Sequence, residues 1–390
     1  MYKHRLLAAL VTSALAVIAA SASADTQGVT KDTIKVGVMG PFTGNASSYS
    51  KAEIGLMAYY KYVNDNGGID GRKIETIPED TACDQATGIA AAKKLIYQEK
   101  VFMLHGNSCS GVALAVKPTV VESGIPWMVA HAVNQDISSP VVKNIFHGVP
   151  TSLAMGRSIG AFVTSKPGAT RFAIIAHSNA WAQGYKKPLM EYFKEKGIKL
   201  VADLEMERGS TDATPQVLKL KQAKPDFVIA ILYEAETAIF LRDRAKYGLD
   251  VPVMGTLGTD LESTLARVGD MNVMKDYFVL HPFVAPLDDP RMQKYADIIK
   301  KYYPKESISS FSFASIGSAI AMVEALKRAG PDLTWDGLIK ALDGLHDFDT
   351  GVLAGPITFT PENHAGVSKV AAAKYVDGKP VVFKAWNEPM

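Results

Sequence analysis

The sequence predicts an α/β protein built from doubly wound parallel sheets in two similar lobes. Three observations carry that prediction. Apolar runs such as Ile34–Met39 are nearly continuous, as in strands covered on both faces, and they alternate with helical stretches. Early strands open into turn-rich segments, Gly40-Pro41-Phe42-Thr43-Gly44 after the first and Gly106-Asn107-Ser108-Cys109-Ser110-Gly111 after the run Val101–His105. In a doubly wound sheet such strand ends face a ligand crevice. The alternation restarts after residue 150, so a cleft between two lobes is the expected site.

The elements follow in order. After Ile34–Met39, residues 51–65 place Leu56, Tyr60 and Val63 at i, i+4 and i+7, and Gly67-Gly68 stops that helix. Ile74–Pro78 is a short strand. Residues 85–99 put Ile89, Ala92 and Ile96 on one helical face. Val101–His105 is the next strand, with Ser110 where an N-cap belongs, and Ile125–Ala130 follows it. In the second half Arg171–Ala176 is a strand and Tyr185–Lys196 a helix ended by Gly197. Phe227–Leu232 is a strand, Ala235–Tyr247 a helix with Gly248 beyond it, and Pro252–Gly255 and Tyr277–Phe283 are further strands. Helices near 289–303, 313–329 and 335–343 then break the alternation, which places the chain back on the first lobe. Gly355–Phe359 reads as one more crossing, and Ala371–Tyr375 with Val381–Ala385 as a final hairpin.

Residues 1–24 read as an export signal: Lys3, His4 and Arg5, then apolar Leu6–Ala20, then the small-x-small run Ala22-Ser23-Ala24, with cleavage expected after Ala24. The run is short for a membrane anchor, no Cys marks a lipid tether, and no later segment offers the roughly 18–20 uninterrupted apolar residues that a span needs. A secreted protein is therefore expected, not itself membrane-spanning. The chain has 42 basic and 40 acidic residues, and losing Lys3 and Arg5 leaves the two balanced. No basic block is present to hold a nucleic-acid backbone. The length exceeds one ordinary core and suits two domains. Cys83 and Cys109 are the only cysteines, and export makes them an expected disulfide.

These residues together resemble a known family, the type I periplasmic solute-binding proteins of ABC importers, in the leucine/isoleucine/valine-binding branch. The matching pieces are Gly40–Gly44, Asn64-Asp65-Asn66-Gly67-Gly68-Ile69-Asp70-Gly71-Arg72, Asp80-Thr81-Ala82-Cys83-Asp84, Cys109-Ser110, Lys224-Pro225-Asp226 and Gly355-Pro356-Ile357-Thr358-Phe359. They run in order over essentially the whole exported chain. The resemblance implies a clamshell of two lobes joined by three crossovers. One lobe would hold 25–149 plus 285–353 and the other 150–284 plus 354–390. It also implies a monomer in the periplasm, a membrane permease as partner, the family's disulfide on Cys83 and Cys109, no cofactor and no metal. A sensor that signals to a membrane receptor shares this fold and is the alternative class.

Candidate ligand residues come from the same resemblance. Ser110 would donate its hydroxyl to a ligand carboxylate, and a helix N-terminus there favours an anion; its other reading is a cap of its own helix. Ala132 would offer backbone groups, and Asn134 stands near a hydroxyl position of the family. His131, between strand and turn, reads as an ordinary loop residue. Tyr49 would wall the pocket, and Trp181 would close over the ligand from the opposite lobe or else pack beneath its helix. Tyr233 aligns with a ligand-contacting tyrosine, with Glu234 beside it.

One position departs from the family. Its amino-acid binders carry an acid in the turn after Pro252–Gly255 to pair with the ligand ammonium, and here Leu257 occupies that place. A buried ammonium needs a partner. Either Asp260 or Glu234 replaces the acid, or the ligand is a carboxylate with an aromatic or aliphatic body; small amides are a further alternative. Catalysis is not expected. The Gly106–Gly111 turn lacks the Gly-x-Ser-x-Gly pattern of a nucleophile elbow, and no His-Glu-x-x-His, phosphate loop or GxGxxG is present.

Overall fold

The computed structural model describes residues 26–383; the expected export signal at 1–24 and the end of the expected strand Val381–Ala385 lie outside the described residues. The first sheet is all parallel and ordered β2-β1-β3-β4-β5, from β1 (Thr33–Gly40), β2 (Lys73–Asp80), β3 (Met103–Gly106), β4 (Trp127–Val129) and β5 (Ile145–His147). Helices α1 (Lys51–Asp65), α2 (Gln85–Lys93) and α3 (Ser110–Ser123) connect its strands. Ile34, Val36 and Val38 of β1 are fully buried, as a two-sided cover requires. β1 sits between β2 and β3, so the strand order reverses there and the crevice opens at its C-terminal end.

After β5 the chain crosses to a second sheet. It runs through α4 (Ser152–Thr164), β6 (Phe172–Ala176), α5 (Ala180–Glu195), β7 (Ala202–Glu205), α6 (Thr214–Ala223), β8 (Phe227–Ile231), α7 (Glu234–Lys246), β9 (Val253–Met254), α8 (Leu261–Val268) and β10 (Tyr277–His281). Helices α9 (Pro290–Tyr302), α10 (Ser310–Ala329) and α11 (Trp335–Asp343) return to the first lobe, and β11 (Ala371–Val376) with β12 (Lys379–Val382) completes the order β12-β11-β10-β9-β8-β6-β7. The last two strands form the expected antiparallel hairpin on β10. The fold is a two-lobed clamshell with three crossovers. The crossover at 282–284 runs antiparallel to the segment 352–354, Val284 N–H donating to Val352 O at 3.0 Å and Ala354 N–H to Pro282 O at 2.7 Å.

The return of α9–α11 is fixed by close packing of α10 on α1. A Cβ on Gly55 would stand 2.2 Å from the Ser312 carbonyl oxygen, so only glycine permits this approach.

Several elements differ from the sequence expectation. β5, α4, β7, α6 and α8 carried no clear sequence signal: the strands among them are three or four residues long, and β7 is half-exposed. Helix α5 begins at Ala180, capped by Asn179, whose side chain accepts from Ala182 N–H at 3.0 Å; Trp181 is therefore helical. The segment around Gly355–Phe359 does not reach the second sheet. Ile357 bridges Phe348 and Val367, Ala365 bridges His147, and the Phe359 ring packs edge-on against Phe146 at 5.1 Å. Burial of Ile357, Phe359 and Val367 in the first lobe's core explains the placement, and the last crossing falls after residue 367, not at the expected boundary of 353/354.

Candidate functional site

The lobes meet at the C-terminal ends of their strands. Tyr49 lies in a 3₁₀ turn, Ser47–Ser50, just before α1. Its hydroxyl donates to Gly258 O in the opposite lobe at 3.2 Å. Its ring lies 5.1 Å from Phe311, 5.8 Å from Tyr233 and 6.4 Å from His131. Facing it, Trp181 stacks on Tyr233 at 4.5 Å with an interplanar angle of 25°. The indole occupies the space a Cβ on Gly258 would need, 2.5 Å away. Tyr233 is held on both sides: its N–H donates to His177 Nε2 at 3.0 Å, and its hydroxyl accepts from Asn179 at 3.2 Å.

Tyr49, His131, Trp181 and Tyr233 line an inner cavity of about 20 Å³, whose wall also includes Ser108, Cys109, Cys83 and Arg208. That is room for about one water, so admission of a ring-sized ligand requires the lobes to part or Tyr49 to turn. An outer cavity of about 510 Å³ adjoins it, bounded by Ser48 and Tyr49 on one side and by Tyr233, Glu234, Glu236 and Arg267 on the other. The disulfide is formed: Cys83 and Cys109 are bonded at 2.07 Å, with Cα atoms 5.6 Å apart, and it braces the inner wall.

The predicted residues divide into groups. Tyr49, Trp181 and Tyr233 converge on the inner cavity, and Glu234 faces the outer one. Ser110 does not line either cavity. Cys109 takes the N-cap position of α3, with Ser110 the first helical residue, and its hydroxyl accepts from Asn134 N–H at 3.3 Å. Ala132 spends its N–H on Asn107 O at 2.8 Å. Asn134 ties the lobes together, donating from Nδ2 to Ala180 O at 2.9 Å. Leu257 is packed in the core cluster that holds Trp181 and Tyr185.

The two substitute acids are both engaged. Glu234 forms an ion pair with Arg267. Asp260 caps α8, accepting from Ser263 N–H at 2.7 Å and from Ser310 Oγ at 3.0 Å, and it faces a separate small cavity with Glu262 and His281. It lines neither the inner nor the outer cavity.

Sequence reasoning missed Glu53, Arg208, Phe311 and Ser108, and treated His131 as an ordinary loop residue. Glu53 is wholly buried under the turn, with Oε1 accepting from Ser108 Oγ at 2.8 Å and Oε2 without a partner among the described residues. The absent Cβ atoms of Gly40 and Gly106 leave it room, at 2.6 and 3.4 Å. Burial pushes its pKa up to about 8, against the Ser108 hydrogen bond, so the carboxyl is largely protonated at neutral pH. The available signal was a carboxylate three residues before Leu56 and seven before Tyr60, on the helix's apolar face. His131 is buried edge-on to Phe311 at 4.9 Å, and burial lowers its pKa to about 4, leaving a neutral ring. No group of side chains among the described residues forms a metal site.

Residues 33–380 match the family described as periplasmic binding protein, and the chain belongs to that family. Its relatives put it in the leucine/isoleucine/valine-binding branch. It is 26% identical to the leucine-, isoleucine-, valine-, threonine- and alanine-binding protein of Pseudomonas aeruginosa, over 61% of this chain and 64% of that protein. It is also 26% identical to Leu/Ile/Val-binding protein homolog 7 of Brucella abortus, over 84% of this chain and 83% of that one. Among solved structures, a branched-chain amino acid ABC transporter protein from Thermus thermophilus with bound valine superposes with a TM-score of 0.82 at 18% identity, covering 92% of this chain and 98% of that one. A solute-binding protein from Rhodopseudomonas palustris in complex with p-hydroxybenzoic acid gives a TM-score of 0.79 at 22% identity, covering 91% and 97%. These two share the fold.

Proposed function

We propose that the protein is the extracytoplasmic solute-binding component of an ABC importer, exported to the periplasm with its signal cleaved after Ala24, and that it delivers its ligand as a monomer to a membrane permease. Closure brings 26–149 with 285–367 against 150–284 with 368–383. The ligand is a small carboxylate with an aromatic or aliphatic body, in preference to a branched-chain amino acid.

The carrying observation is the composition of the cleft. Aromatic rings meet from both lobes, Tyr49 and Phe311 against Trp181 and Tyr233. Glu234 is paired with Arg267, Glu236 accepts the Gly209 N–H beside His177, Asp260 caps α8, and Leu257 lies in the core. Among the described residues, the wall of the inner cavity carries no carboxylate for an ammonium, whereas an apolar ring there gains roughly 25 cal/mol per Å² buried. The carboxylate is received at the α3 N-terminus, with Ser110 behind the wall and backbone N–H groups of the turn in front. Relatives with bound valine and with bound p-hydroxybenzoic acid support both ligand classes for the fold, and the side chains here favour the second.

Calorimetry of the exported form with leucine and with benzoate tests this. Benzoate binding with weak or absent leucine binding is expected, together with a smaller radius of gyration by small-angle scattering when ligand is added, because a ligand that touches both lobes favours the closed form. Submicromolar leucine binding with no response to aromatic acids overturns the ligand class.

A further inference from the structure

The inner and outer cavities share three walls: Tyr49, Tyr233 and Arg208. Arg208 stands in the loop between β7 and α6, with its guanidinium 5.4 Å from the Tyr233 ring centroid. The other charges around the outer cavity are engaged. Arg267 is paired with Glu234, and Glu236 accepts the Gly209 N–H at 2.7 Å and lies 3.6 Å from His177. Arg208 makes no ion pair among the described residues. It is a cation held in place by an aromatic face, at the junction between a small aromatic chamber and a larger polar one.

Other residues of the inner chamber's wall have a different chemistry. Ser108 and Cys109 bring in the start of α3, and His131, 5% exposed, keeps Nε2 without a partner among the described residues. A ligand that starts there, passes the rings and extends into the outer cavity meets Arg208, which lines both cavities. The outer cavity, at about 510 Å³, is within the size range of small-molecule sites, roughly 300–1,000 Å³.

We propose that the ligand is a two-ended acid: one carboxylate lies at the start of α3, an apolar body crosses the ring chamber, and a second anionic group in the outer cavity is gripped by Arg208. This rests on the carboxylate reading above and narrows it. Arg208 is then the residue that separates diacids from monoacids. A planar guanidinium can bind the second carboxylate through two parallel N–H bonds, which a lysine ammonium cannot reproduce.

The test is calorimetry on the exported form with two matched pairs, benzoate against terephthalate and hexanoate against adipate, for the unaltered protein, Arg208→Gln and Arg208→Lys. Thermal melts confirm that the variants fold. In the unaltered protein the diacid of whichever pair binds should be ~10-fold tighter than its monoacid, as one charge-assisted hydrogen-bonded contact implies. In Arg208→Gln that ratio should fall to near one, with Arg208→Lys between. Monoacid binding without a diacid preference overturns the two-ended ligand and leaves the carboxylate reading standing. So does a preference that survives Arg208→Gln. If no acid of either pair binds and leucine does, the carboxylate reading fails and this inference fails with it.

Discussion

Glu53→Gln isolates a single buried ionisation. In the native protein the Glu53 carboxyl is fully enclosed and holds its proton up to a pKa of about 8, chiefly because burial penalises the anion. In the unfolded chain the group titrates near its ordinary value of 4.5. Between these limits the native state binds one proton more than the unfolded state, so stability falls as pH rises through the window. Linkage sets the slope at about 1.4 kcal/mol per pH unit for one proton, or about 3 kcal/mol between pH 5 and pH 7. Glutamine keeps the shape and the acceptor oxygen for Ser108 but cannot ionise. Its extra N–H₂ adds a burial cost of ~1–3 kcal/mol that does not change with pH. Urea unfolding of both proteins at pH 5, 6, 7 and 8 separates the two effects. The stability of the variant minus that of the unaltered protein should rise by about 3 kcal/mol from pH 5 to pH 7 and level off above pH 8. Glu262, which burial raises to about 7, and the buried histidines titrate alike in both proteins and cancel. A difference that stays constant with pH would refute the argument.

Other outcomes follow from neighbouring groups. Reduction of Cys83–Cys109, which closes a loop of sequence separation 26, should cost roughly 3–4 kcal/mol in the chain-entropy model and lower the melting temperature; thiol labelling of the unreduced, unfolded protein should find none. Burial holds His105 near 3 and His131, His147 and His281 near 4, so the unfolded chain binds more protons below pH 6.5 and stability should drop as pH falls from 6.5 towards 4; a flat denaturation midpoint across that range argues against four buried neutral rings. Ser110→Ala removes the acceptor of the Asn134 N–H and should lower stability by roughly 1–3 kcal/mol, seen in urea unfolding. Under the proposed function, with backbone N–H groups in front of Ser110, benzoate affinity in calorimetry should change little, and a loss of roughly 1.5–3 kcal/mol would instead put the hydroxyl on the carboxylate.

The strands and most helices were legible because burial imposes a period on sequence. Val36, Val38, Phe227 and Ile229 sit in strands covered on both faces, and such strands read as apolar runs. The aromatic residues Tyr49, Trp181 and Tyr233 were legible through the family resemblance and not through the period, since the helix that carries Trp181 begins at Ala180 and not at the expected Tyr185. Arg208 was not, because its loop has no period, and its place beside Tyr233 depends on how that loop folds over the β8 end. Asp260 and Glu53 show the limit of reading position alone. Asp260 follows a strand end, which suggests a ligand group, but it also precedes the amphipathic run Leu261–Val268, and a carboxylate there satisfies helix N–H groups first. Glu53 lies inside a helix, where a charged residue ordinarily faces water, yet its spacing from Leu56 and Tyr60 puts it on the buried side. Of the two acids, the one nearer the strand end in sequence serves the fold. The one on the apolar stripe reaches the underside of the Ser108 turn, at the strand-order reversal that forms one wall of the cleft.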